Sequence, residues 1–162
     1  MLWLRLVFLV CLTALPVQAE VVDFPASEAG GRELVIYSSL DSPLARPLIE
    51  AFQKTAPDIS VRYEDLLTGE IAARVMQETD AGQPTADLIF SSAMDVTVKL
   101  ANDGYAQPVD VPLARDWPDW ANWRNTAFAL TYEPAVFIYN KTAFAGAPPT
   151  TRGELLAYLE AN

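Results

Sequence analysis

Apolar and polar positions alternate between two periods along this chain, two for strands and about 3.6 for helices, and their order fixes the first reading of the fold. Leu34-Val35-Ile36-Tyr37 is an apolar run bounded by Gly30-Gly31 and by Ser38-Ser39, and predicts a strand over Glu33–Tyr37. Leu44, Leu48, Ile49 and Phe52 then fall at helical spacing until Pro57-Asp58 stops them. Pro43 and Pro47 are tolerated only near a helix start, which places the regular turns from Leu44 or Ala45 onward. Ile59–Tyr63 alternates as a second strand. Thr68-Gly69 opens a second helix, with Ile71, Val75 and Met76 on its inward side. Ala86–Phe90 repeats the first design, an apolar run that ends in Ser91-Ser92. The short helix after it begins with Ser92-x-x-Asp95, the form of a capping box, and Gly104 is placed to end it.

The flanking stretches are less regular. Residues 20–32 read as an exposed lead-in. Residues 107–125, with three prolines and Trp117, Trp120 and Trp123, read as an ordered surface excursion in which the tryptophans pack beneath a long loop. Ala127–Thr131 and Ala135–Tyr139 predict two further strands. Thr150–Glu160 predicts a last helix with Leu155, Leu156 and Leu159 on one side. Alternating strands and helices imply an α/β fold, a three-layer sandwich on a mostly parallel central sheet. The domain reading is residues 33–126 as one α/β lobe, 127–141 as β-strands leading out of it, and 142–162 as the start of something further.

Composition changes the picture at the amino terminus. One basic residue, Arg5, precedes the apolar run Leu6–Leu15, and Val17-Gln18-Ala19 supplies small residues for cleavage before Glu20, so residues 1–19 read as a signal peptide. Its removal takes away Cys11, the sole cysteine, and Arg5, the only charge in that segment. The formal charge then moves from −10 to −11. An acidic chain without a basic stripe is excluded as a nucleic-acid binder. No histidine occurs anywhere, which excludes Ser-His-Asp and Cys-His catalysis and histidine-built zinc sites from these residues. Dinucleotide and nucleoside-triphosphate glycine motifs are missing too, and no cofactor is implied. Asp41, Asp95 and Glu133 could serve acid-base chemistry, but surface solvation or helix capping accounts for them better. The reading is therefore a binding protein, not an enzyme.

Candidate chemistry sits where the strands end. Both serine pairs follow parallel strands, so their hydroxyls and N–H groups share one sheet edge, and Thr68-Gly69 starts a helix at the same edge. A lone serine pair is adequately explained as a helix cap. Two pairs at one topological point favour a ligand site, with Ser38, Ser39, Asp41, Thr68, Gly69, Ser91 and Ser92 as contacts.

The stretches LVIYSSLDSPLARPLIEAFQKTAPDISVRYE, TGEIAARVMQETDAGQPTADLIFSSAMD, LANDGYAQP and ALTYEPAVFIYNK, in that order, resemble periplasmic solute-binding proteins of ABC importers, in the branch related to ferric-iron binders. The resemblance covers nearly all of the chain after residue 19. It implies the type 2 periplasmic-binding fold, two lobes joined by a β-stranded hinge, with this chain truncated to its first lobe. Residues 127–141 would then be hinge strands, with Thr131, Tyr132 and Tyr139 bordering them. Expected partners are a small ligand and an inner-membrane ABC permease, for a monomer in the periplasm. The positions that can coordinate iron in ferric binders correspond to Asp41 and Ser92 here. The loss of a carboxylate at Ser92 favours an organic or phosphorylated anion over ferric iron. A ligand-sensing module paired with a membrane histidine kinase is the alternative from another class.

Overall fold

The computed structural model describes residues 20–132, 134, 136, 138–142 and 146–161, so the expected signal peptide lies outside the described residues. The described chain forms two compact units divided between Phe128 and Ala129. In the first, β1 (Glu20–Phe24), β2 (Arg32–Ser38), β3 (Ile59–Asp65) and β4 (Leu88–Phe90) make one sheet in the order β1-β3-β2-β4. β3, β2 and β4 are mutually parallel, and β1 lies antiparallel on β3. The helices α1 (Ser42–Thr55), α2 (Thr68–Asp80) and α3 (Met94–Asn102) connect them or follow them.

Alternation along the strands builds two cores on opposite faces of the sheet. Ile36, Val61, Tyr63 and Phe24 pack with Ala45 and Ile49 of α1. Tyr37 packs with Leu66, with Ile71 and Val75 of α2, and with Leu100 of α3. Helices therefore cover both faces, as the sequence implied. The crossover through α1 leads from β2 to β3 on one side, and the crossover through α2 passes back over β2 to β4 on the other. β2 is thus the strand at which the winding reverses.

Several local features depart from the sequence reading. Glu20–Phe24 is a strand, not an exposed lead-in, with Phe24 buried and Val22 packed against the first core. Only two of its side chains face inward, too short an alternation to stand out. Loop 25–31 folds back so that the Ser27 and Glu28 amides both donate to the Pro57 carbonyl at 3.0 Å. A Cβ on Gly30 would come within 2.3 Å of the Asp58 carbonyl oxygen, so only glycine fits there. α1 starts at Ser42, earlier than expected, because Pro43 falls in the first turn where its missing N–H has no partner to lose, and Pro47 is carried inside the helix. Its inward row is Ala45 and Ile49, while Leu44 and Leu48 are 62% and 59% exposed.

Residues 107–125 form the expected excursion, with two short 3₁₀ turns (Pro112–Asp116 and Asp119–Ala121) and a hairpin of β5 (Asn122–Trp123) and β6 (Ala127–Phe128). Trp117 meets Phe128 edge to face at 6.1 Å, which is packing beneath a loop as read, whereas Trp123 is exposed and donates its indole N–H to Asn102 at 3.0 Å. Trp120 is exposed.

In the second unit, α4 (Arg152–Ala161) is capped reciprocally. The Thr151 hydroxyl accepts from the Glu154 amide, and the Glu154 carboxylate accepts from the Thr150 and Thr151 amides. Of the strands expected over 127–141, Ala127–Phe128 alone forms among the described residues. Thr131, Tyr132 and Tyr139 are exposed and belong to no strand, and residues 135 and 137 lie outside the described residues. Ala127–Phe128 forms because β5 lies beside it to satisfy its amides. Ile138 is 93% exposed.

Candidate functional site

The carboxyl edge of β2 and β4, at the reversal point of the sheet, collects the serine turns. Register sets Ser38 beside Asp65 of β3 on one side and Phe90 of β4 on the other. The next residues out therefore meet: the Ser39 and Ser91 hydroxyl oxygens lie 2.9 Å apart, sharing one hydrogen bond. Crevices at such reversal points are where open α/β sheets bind ligands, because the flanking loops diverge to opposite faces.

The seven candidate residues occupy distinct places at this edge. Ser38 is fully buried, and its hydroxyl is committed, donating to the Phe90 carbonyl at 2.7 Å and accepting from the Leu40 amide at 3.0 Å. It ties β2 to β4 beneath the surface. Ser39 and Ser91 are half-buried above it, and Ser92 is exposed. Ser92 does not cap α3. That helix begins one residue later than the capping box implied, at Met94, and the Ser91 hydroxyl accepts the Ala93 amide at 3.2 Å. Asp41 is the exposed residue before α1, and its side chain makes no capping bond. Thr68 and Gly69 form the first turn of α2, where a Cβ at Gly69 would meet open space. The β3–α2 turn comes to this edge through the Leu66 amide, which donates to the Ser38 carbonyl at 2.8 Å.

Carboxylates already occupy part of the helix starts. The Asp65 carboxylate accepts the Ser42 amide at 3.2 Å, and Glu70 accepts the Leu67 amide at 3.1 Å. The hydroxyls of Ser39, Thr68, Ser91 and Ser92 are thus the side-chain donors that this edge offers. Among the described residues no three acidic, histidine or cysteine side chains gather as a metal site. Two concavities of about 310 and 390 Å³ lie away from the serine turns, one around Trp117 and Arg124, the other around Gln53 and Pro57. Both are open surface dents in regions that share no residue with the sheet edge.

One residue below the edge runs a charged network that the sequence reading missed. Glu64 of β3, with a side chain only 3% exposed, accepts from Arg62 at 2.8 Å and from Arg74 of α2 at 2.5 Å. Arg74 also donates to Glu78 at 2.8 Å and lies 4.4 Å above the Tyr37 ring, while the Tyr37 hydroxyl donates to Glu78 at 3.1 Å. Burial alone would raise the Glu64 carboxyl, but its bonds from Arg62 and Arg74 outweigh that and hold it below the ordinary value. Arg74–Glu78 at i,i+4 was visible in the sequence. Its meeting with Glu64 and Tyr37 depends on register.

Residues 37–161 match the family model described as bacterial extracellular solute-binding protein. Among curated proteins none matches. A solved structure, the substrate binding protein of the ABC transporter from Agrobacterium tumefaciens, is similar to it at 59% identity with a TM-score of 0.72. The match covers 90% of this chain and 44% of that one, so the chain spans less than half the length of that relative. The α/β fold with its mostly parallel sheet is shared with that structure. A family match over more than three quarters of the residues leaves one assignment, that the chain belongs to the bacterial extracellular solute-binding proteins.

Proposed function

We propose that this chain is part of the solute-binding component of an ABC importer, held in the periplasm after removal of residues 1–19, and that its serine-lined sheet edge forms one wall of the binding cleft. Ser39, Asp41, Thr68, Gly69, Ser91 and Ser92 contact the solute, with Ser38 holding β2 and β4 in register beneath them. The observation that carries this reading is the 2.9 Å approach of the Ser39 and Ser91 hydroxyls at the reversal point of the sheet. Two hydroxyls that satisfy each other with a single bond keep one O–H free to donate outward. Hydroxyls with helix-start amides suit an oxygen-rich solute, an organic or phosphorylated anion. Ser92 stands where ferric binders can carry a carboxylate, which favours such an anion over ferric iron. The remainder of the polypeptide supplies the opposite wall, and closure over solute presents the form that the inner-membrane permease accepts.

The test is mass spectrometry of whatever solute leaves full-length protein purified under native conditions. An oxygen-rich organic or phosphorylated anion is expected; iron would overturn that part of the reading. Ser39→Ala with Ser91→Ala should weaken binding of the identified solute by about 1–3 kcal/mol, the cost of leaving its acceptors unpaired. Unaltered calorimetric affinity in the double variant would remove the serine turns from the site.

A further inference from the structure

We infer that Arg74 is a positioning residue for the serine-lined edge, fixing the first turn of α2 at the height of Ser39 and Ser91; this rests on the site proposed above. Its guanidinium reaches three elements at once. It meets Glu64 on β3, Glu78 on its own helix and the ring of Tyr37 on β2. Each of the two strand residues sits immediately before an edge residue: Tyr37 precedes Ser38, and Glu64 precedes Asp65, whose carboxylate holds the start of α1. Thr68 lies six positions before Arg74 along a continuous helix, so sliding of α2 at Arg74 becomes displacement of Thr68 and Gly69 at the edge.

Stability alone is a poor account of this network. A carboxylate buried as deeply as Glu64 pays heavily for its lost hydration, and apolar residues of similar volume often serve a fold as well. What an ion network adds is a single allowed geometry. A guanidinium forked between two carboxylates and stacked on a ring permits one height of helix against sheet, whereas apolar packing tolerates several. A lysine keeps the charge but offers a point in place of a fork, so Arg74→Lys separates positioning from charge balance.

Amide hydrogen exchange on the full-length protein, without solute, compares wild type, Arg74→Lys and Arg32→Gln. The last breaks the Arg32–Asp58 pair at the opposite end of β2 and β3 and serves as a control. Exchange over residues 66–72 should quicken about tenfold in Arg74→Lys and stay at the wild-type rate in Arg32→Gln. Calorimetry with inorganic phosphate as the probe should show about a tenfold weaker affinity in Arg74→Lys only. Wild-type exchange at 66–72 in Arg74→Lys, or acceleration spread equally through the chain, would overturn the role. Phosphate that wild type ignores would count against the anion reading, and the exchange comparison would still decide the part played by Arg74.

Discussion

Tyr37 lies buried with the Arg74 guanidinium over its ring and its hydroxyl on the Glu78 carboxylate. Burial, aided by the Glu78 hydrogen bond and opposed by Arg74, pushes this hydroxyl up from 10.0 to about 12. The unfolded chain ionises first on raising the pH, so the contribution of Tyr37 to stability is whole below pH 10 and is lost as pH rises toward 12. That loss is on the order of 2 kcal/mol. Absorbance at 295 nm should reveal tyrosines that ionise late, Tyr37 and the buried Tyr63 among them, with one fewer in Tyr37→Phe, and urea midpoints should fall as pH rises from 10 toward 12. Tyr37→Phe should flatten that slope; a wild-type midpoint that does not move would contradict the placement. Among single residues, the sequence made Ser39 and Ser91 legible because strand-serine-serine occurs twice. Tyr37, Glu64 and Arg74 stayed hidden because only strand register brings them together. Arg124 and Asn125 carried no glycine signal for their left-handed conformations, with φ of 54° and 58°.

Among the elements, α1 shows what periodicity can and cannot say. Leu44-Leu48 and Ala45-Ile49 form neighbouring rows on one helix, and a 3.6 period fits either row. The sheet selects the second, since Ile49 is buried and Leu48 is not. Leu48→Gln should therefore change stability by no more than about 0.5 kcal/mol. Ile49→Ala should cost about 2–5 kcal/mol through lost burial and the space left behind. Urea denaturation of both variants checks the assignment, and equal losses would reverse it. α2 was legible nearly to the residue, because Ile71, Val75 and Met76 offer only one inward row. β1 was not, since two inward side chains make too short a pattern. Of the two strands read over 127–141, the first forms as Ala127–Phe128 against β5, and the second, read over 135–139, falls partly outside the described residues.

For the whole first unit, the acid side of the pH scale is set by the network beneath the sheet edge. Burial opposes ionisation at Glu64 and Glu78, but the hydrogen bonds from their arginine partners prevail and keep both carboxyls below 4.5. Carboxyls lowered in this way stabilise the fold fully at neutral pH, and the contribution disappears as pH falls below about 4.5 through their folded values. The urea midpoint should decline from pH 5 to pH 3; a level midpoint across that range would show that the pairs do not form. A different consequence follows from β1. Its antiparallel pairing closes the outer side of β3, and Phe24 plugs the core next to it. Anyone trimming this polypeptide for expression thus meets a hard boundary at Glu20. Cutting further in would bare a row of unpaired amides on β3 and hollow out the packing beside it, the conditions in which sheets of separate molecules stick to one another.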